Sequence, residues 1–113
     1  MKLSPIKRGP SRYAAKDSHW RHNVLHRDDY LCIMCNNGTP ADDVHHIFSK
    51  GAHPEWRHID ANGISLCRGC HDMATRNPAA FRIVMQVGLT GRWIELERAI
   101  GASKGHSLTQ AGR

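Results

Sequence analysis

No stretch of this sequence stays apolar for the roughly 20 residues that a helix needs to cross a bilayer. The opening "MKLSPIKRGP" is basic and lacks the apolar core of a secretory signal. A membrane partner is therefore not expected, and the expected compartment is the cytoplasm. Acidic residues are scarce beside basic ones, ten Asp and Glu against sixteen Lys and Arg, for a formal charge of +6 and a pI near 9.6. That balance suits a polyanionic partner, nucleic acid first, with a basic soluble protein that meets no polyanion as the alternative. Hydrophobic residues make up 40% and charged residues 23% of the chain, which excludes wholesale disorder. There is no second domain and no internal repeat beyond two short cysteine pairs. A chain of 113 residues fits one domain, and one this small buries a modest core that commonly needs a staple. A bound metal is the candidate staple.

The chain holds only four cysteines, and they fall as Cys32 with Cys35 and Cys67 with Cys70. In a reducing compartment, paired short spacings read as a metal site rather than as disulfides. Each CxxC pair can take one edge of a tetrahedral zinc ion. Four thiolates close the coordination shell, so this zinc is structural and joins two distant parts of the chain. Two other readings compete. Four unliganded thiols are one, and a redox CxxC is the other, although redox chemistry needs a single pair and neither pair here sits in an alternating strand and helix pattern. "HPE" at 53–55 followed by "CRGC" imitates the signature of zinc nucleobase deaminases. Leu66 stands where that signature has proline, the gap from Glu55 to Cys67 is short, and Cys32 and Cys35 would have no role.

Local patterns set out the elements. Residues 1–15 mix Pro, Gly and basic residues without periodicity, a flexible arm that either touches phosphates or is inert. "DSHWRHNVLHRDDY" predicts a short helix with Asp17 or Ser18 as cap and Trp20, Val24 and Arg27 at helical spacing. A knuckle around Cys32 and Cys35 and a turn-rich "NNGTPADD" follow, then an extended "DVHHIF" with Val44, His46 and Phe48 on one face. "SKGAHPEWRHIDANG" is a loop of functional length, and "ISL" a second short strand. "CRGCHDMATR" is helical up to Asn77, where Pro78 forces a break. Asn77 then caps a helix that Pro78 opens and Gly88 ends. Thr90 caps a last helix with Trp93, Leu96 and Ile100 on one stripe. Phe81, Val84, Met85 and Trp93 read as core packing. The single domain thus divides into the arm at 1–15, a zinc-stapled core at 16–76, helices at 77–101 and a flexible tail at 102–113.

A zinc clamp between the two cysteine pairs brings the segments hanging from it together, with His45 and His46 on one side and His71 on the other. "DVHHIFSK", then "NGISLCRGCH", resembles the HNH endonucleases of the ββα-metal type, particularly small phage and bacterial members with a four-cysteine zinc site. The resemblance runs from about Trp20 to His71, with "RHNVLHRDDYLC" ahead of the first cysteine pair. Asn62, five residues before Cys67, takes the place of the middle Asn, and His71, directly after Cys70, that of the closing His.

The resemblance implies an α+β fold, a small ββα-metal (His-Me finger) core with a zinc knuckle and flanking α-helices. It implies a metal-dependent DNA endonuclease that makes nicks or double-strand breaks in a bacterial or phage-infected cell, working as a monomer or homodimer. By the same likeness His46 is the general base, with an ordinary pKa of about 6.5 that leaves it competent near neutrality. Asn62 orients it, and His45 and His71 hold one divalent ion with positions left open for phosphate and water. The sequence departs from the commonest pattern at His45, where Asp is usual, and at Thr75, one helical turn after His71, where some members add a ligand. Two imidazoles favour Mn²⁺, Co²⁺, Ni²⁺ or Zn²⁺ over Mg²⁺.

Lys50, Arg57 and Arg68 flank the implied site as DNA-phosphate contacts, with solvated charge as the alternative for each. His53 and His58 read as loop or phosphate contacts, and His19, His22, His26 and His106 as surface residues. One geometric obstacle stands: successive strand residues face opposite ways, so His45 and His46 serve one phosphate only if the strand ends or bends there. The competing class is a zinc-stapled nucleic-acid-binding module without catalysis, which needs basic residues but no general base.

Overall fold

The computed structural model describes residues 13–104. Most of the basic arm, the last part of the tail and His106 lie outside the described residues. The elements run α1 (Ala14–Arg27), β1 (Asp43–His46), β2 (Gly63–Leu66), α2 (Arg68–Arg76), α3 (Pro78–Gly88) and α4 (Thr90–Lys104). Short 3₁₀ turns at Pro54–Trp56 and Asp60–Asn62 lie inside the long loop between the strands. The architecture is α+β, as the resemblance implies: among the described residues, one two-stranded antiparallel sheet and four helices.

The sheet explains the layout. Asp43 pairs with Leu66, Val44 with Ser65, His45 with Ile64 and His46 with Gly63. Since side chains alternate between faces, "GISL" presents two unlike surfaces. Gly63 and Ser65 form a low surface that α1 covers, and the Ser65 hydroxyl points at the Val24 carbonyl of that helix. Ile64 and Leu66 point the other way, into a core completed by Ala74 of α2, Phe81 and Met85 of α3, and Trp93, Leu96 and Ile100 of α4. All four β2 residues are buried, whereas β1 is half-buried throughout and borders an open cleft.

Helix caps depart from the sequence expectation in two places. α1 begins at Ala14 with no side-chain cap, so Asp17 and Ser18 fall inside the helix. The Asp17 carboxylate is drawn outward to the Arg57 guanidinium and the His58 ring. Thr90 opens α4, but its hydroxyl donates back to the Gln86 carbonyl at 2.8 Å and so finishes α3 rather than capping α4. Asn77 does cap α3, its side-chain oxygen accepting from the Ala80 N–H, with Pro78 next to it.

Val84 corrects the expected core set. Phe81 and Met85, four residues apart, lie on the buried face of α3, while Val84 is rotated to its exposed flank. α4 runs through Lys104, three residues into the segment read as tail. α1 ends where Asp29 and Tyr30 adopt left-handed backbone, φ 57° and 59°, which lets the Tyr30 N–H reach back to the Leu25 carbonyl.

Candidate active site

The four cysteines converge. Cys32 and Cys35 sit on a knuckle closed by a bridge between Leu31 and Pro40, while Cys67 precedes α2 and Cys70 lies in its first turn. Their sulfurs all lie within 4.8 Å of one another, with Cys35 at 3.8 Å from Cys67 and 3.6 Å from Cys70. Tetrahedral zinc with bonds of about 2.3 Å spaces its sulfurs about 3.8 Å apart, so the donor set fits the ion. The electrostatics agree. Burial opposes ionisation of Cys32, yet the backbone N–H groups of Cys67 and Cys35 and the neighbouring thiols draw it down to about 7. Cys70 is pushed up by burial and by the other thiols. Crowded thiols oppose one another's ionisation in this way, and a cation among them would let all four act as thiolates.

The histidines converge by a different route. His45 and His46 do point to opposite faces of the sheet. His46 lies on the α1 side, its ring stacked on Trp20 at 4.0 Å and 9° from parallel. His45 lies on the α2 and α3 side, its ring edge-on to His71 at 5.3 Å and to Phe81 at 5.3 Å. They meet around the unpaired edge of β1, which ends at His46. A cleft of about 420 Å³ along that edge is lined by His45, His46 and His71, with Asp17, Trp20, Arg21 and Lys50 also at its walls.

Each imidazole is prepared differently. His46 Nε2 lies 3.0 Å from the Arg57 carbonyl, which can only accept, so Nε2 carries the proton and Nδ1 keeps its lone pair. Burial holds His46 below the ordinary histidine range, partly offset by that carbonyl. His45 is pushed down to about 4, chiefly by burial and then by the charges of His71, His46 and Arg82. Its buried Nε2 has no hydrogen-bond partner. A neutral imidazole with an orphaned buried nitrogen beside a second imidazole is a donor pair suited to a divalent ion. The four cysteines, however, are the only cluster of three or more ligand-type side chains among the described residues.

Asn62 is fully buried, and its amide goes to backbone rather than to the His46 ring. Its oxygen accepts from the Phe48 N–H at 2.9 Å, and its nitrogen donates to the carbonyls of Phe48 and Trp56 at 3.0 and 3.2 Å. It pins both ends of the loop that leaves β1. Arg57 is engaged: its guanidinium grips Asp17 at 2.9 and 2.7 Å and covers the Tyr13 ring at 4.3 Å. Lys50 is exposed at the cleft wall. Arg68 is exposed at the start of α2, where its backbone N–H meets Asp42.

Sequence reasoning missed two neighbours of the site. Asp43, 3.2 Å from His71 Nδ1, shares a strand face with His45, a placement that the two-residue period signals. Trp20 reads in sequence as one apolar residue of a helical stripe, and nothing in that stripe shows the stack on His46.

No family model matches the sequence, and no curated protein matches it. Among solved structures the chain is similar to the HNH endonuclease of the deep-sea thermophilic bacteriophage GVE2, a crystal structure with manganese ion. The two share 32% identity at a TM-score of 0.54, over 62% of this chain and 76% of that one. The chain belongs to the HNH endonuclease family. Family membership carries a nuclease-type function and, with the cysteine cluster, metal binding. Among the described residues no helix is long and apolar enough to cross a membrane. In this chain His46 stands at the end of β1, Asn62 just before β2, and His71 in the first turn of α2.

Proposed function

We propose that this protein is a metal-dependent DNA endonuclease, a single HNH domain, with His46 as its general base. The observation that carries this reading is the shared cleft: His46, its Nε2 tied to the Arg57 carbonyl, lines it together with the His45 and His71 pair at one strand edge. His45 and His71 would hold the divalent ion, which when bound neutralises charge on the phosphate and on the departing oxygen. A separate structural zinc would occupy Cys32, Cys35, Cys67 and Cys70. The manganese in the related phage enzyme agrees with a transition ion at the first site.

His46 Nδ1 takes a proton from water as the water oxygen bonds to phosphorus, and the bond to the 3′ oxygen breaks, that oxygen taking a proton from a second water molecule to leave a 5′-phosphate and a 3′-hydroxyl. His46 suits the step because burial keeps it neutral and its other nitrogen is already tied down. Asn62 contributes by fixing the backbone at Phe48 and Trp56, which sets where the chain turns after His46. Lys50 and Arg68, both exposed, are available to phosphates. Arg57 would first have to release Asp17, so its contribution to DNA contact is the weakest of the three.

The test is incubation of supercoiled plasmid with the zinc-loaded protein and Mn²⁺. The wild type relaxes or linearises the plasmid, and His46→Ala loses that activity while keeping its melting temperature. A wild type inert across several divalent ions, yet able to bind duplex, would instead establish the non-catalytic binding module.

A further inference from the structure

Two residues of α1, Asp17 and Trp20, stand one helical turn apart and face the same stretch of loop, Arg57 to Ile59. The Trp20 indole N–H donates to the Ile59 carbonyl at 2.9 Å, and the indole plane lies on the His46 ring. Asp17 grips the Arg57 guanidinium through both oxygens and meets His58 Nε2 at 2.7 Å. The backbone carbonyl of that same Arg57 receives the His46 Nε2–H. One helix therefore touches both constraints on the imidazole, its plane and the acceptor that selects its tautomer. Gly63 makes this possible. It is the cross-strand partner of His46, and a Cβ there would meet Trp20 Cζ2 at 2.6 Å and Val24 Cγ2 at 2.7 Å.

We propose that α1 is the positioning element of the general base: Trp20 sets the plane of the His46 ring, and Asp17, through Arg57, sets the carbonyl that keeps the proton on Nε2. Both are positioning residues, since neither needs to touch the scissile phosphate. The proposal rests on the reading of His46 as the base. Its energetic logic is that a base displaced by about 1 Å can cost about 100-fold in rate without any loss of binding.

Asp17 is partly exposed, so Asp17→Asn tests the idea without opening the core. With zinc-loaded full-length protein, Mn²⁺ and supercoiled plasmid, kcat should fall by about 10-fold or more, while KM and the Mn²⁺ dissociation constant stay within about two-fold. Arg57→Ala should give a similar loss, and the double variant no more than either alone, as expected of residues in one chain of contacts. Trp20→Phe keeps a stacking ring and should retain most of kcat, whereas Trp20→Leu, which keeps apolar bulk, should lose it. Nitrogen-15 spectra of the imidazoles give a readout that mere loss of stability would not move. His46 should be an Nε2–H tautomer in the wild type and a mixture in Asp17→Asn and Trp20→Leu.

Folded Asp17→Asn and Trp20→Leu variants with wild-type kcat and an unchanged His46 tautomer would overturn the proposal, and so would additive losses from Asp17 and Arg57. The parent reading fails separately. If His46→Ala cuts as fast as wild type, His46 is not the base and the clamp has no catalytic role. If His46→Ala is inactive while the α1 variants are fully active, the base stands and only the clamp falls.

Discussion

The Asp43 carboxylate and the His71 ring are joined across the gap between β1 and α2, Oδ2 to Nδ1, at 3.2 Å. A carboxylate in that position accepts a hydrogen bond from Nδ1–H and leaves Nε2 as the free lone-pair donor, the arrangement that commonly backs a metal-bound histidine. Asp43 sits two residues before His45 on the same strand face, so one strand supplies both a candidate ligand and the partner of the other candidate ligand. Asp43→Ala should weaken Mn²⁺ binding about 10-fold to 100-fold. Asp43→Asn, whose side-chain oxygen can still accept the hydrogen bond, should fall between the two. Calorimetric titration of the zinc-loaded protein measures this directly, and an affinity unchanged in Asp43→Ala would remove Asp43 from the site.

Gly63 is the position where a single methyl group should do the most damage. An alanine Cβ would lie 2.6 Å from the Trp20 ring and 2.7 Å from Val24, and both neighbours are buried and unable to swing into solvent. α1 must then lift off β2, at a cost of about 2 kcal/mol in stability. The same shift breaks the stack on His46, so the loss of activity in Gly63→Ala should exceed what the remaining folded fraction explains. Urea unfolding and plasmid cleavage on the same preparation check both halves. A variant as stable and as active as wild type would mean that the close approach of α1 to the sheet is not needed.

The sequence made the cysteine cluster readable because two CxxC pairs carry their geometry locally, and only the clamp between them had to be inferred. Asn77 with Pro78 was readable for the same reason, since its partners lie within three residues. His45, His46 and His71 were legible only through likeness to a family, because their meeting depends on where β1 ends and which edge it leaves unpaired. The amide of Asn62 goes to backbone groups of Phe48 and Trp56, which look the same in any sequence, so its target could not be read from residue types. The charge pattern around Arg57 does not show that Asp17, 40 residues earlier, already holds its guanidinium. Val84 failed because helical spacing gives the buried stripe but not its width.

Metal choice should follow ligand type. His45 is held neutral by burial, and two imidazoles attract Mn²⁺, Co²⁺ or Ni²⁺ more strongly than Mg²⁺, which prefers oxygen donors. After mild chelation that leaves the thiolate-bound zinc in place, confirmed by metal analysis, Mn²⁺ should restore faster cleavage than Mg²⁺ at equal concentration. Recovery that is best with Mg²⁺ would contradict a site built on the histidine pair. His45→Asp offers a second arm, since an added oxygen ligand should narrow the gap between the two ions.

Asp28 should dominate the response of stability to acid. Its side chain is buried, with Arg27 at 2.8 and 2.9 Å, Arg92 at 2.6 Å and the Ser65 N–H at 3.1 Å, so it links the end of α1 to β2 and α4. Burial by itself would raise the carboxyl, but the bonds and charges of the two guanidiniums together outweigh it and hold Asp28 below its ordinary value. The folded state therefore binds this proton less readily than the unfolded chain, whose Asp titrates near 3.9. The stabilisation is complete about one unit above that unfolded value, near pH 5, and is lost as pH falls through the lower, folded value. Asp17, also held low by Arg57, acts in the same window. Asp28→Asn should cost about 3 kcal/mol at neutral pH, because it leaves two guanidiniums facing a neutral group in a buried site. Its stability should then fall less steeply than that of wild type between pH 5 and pH 2, a range of roughly three units below the neutral plateau. Urea midpoints across that range are the measurement, and parallel curves for the two proteins would show that Asp28 is not the group whose protonation loosens the fold.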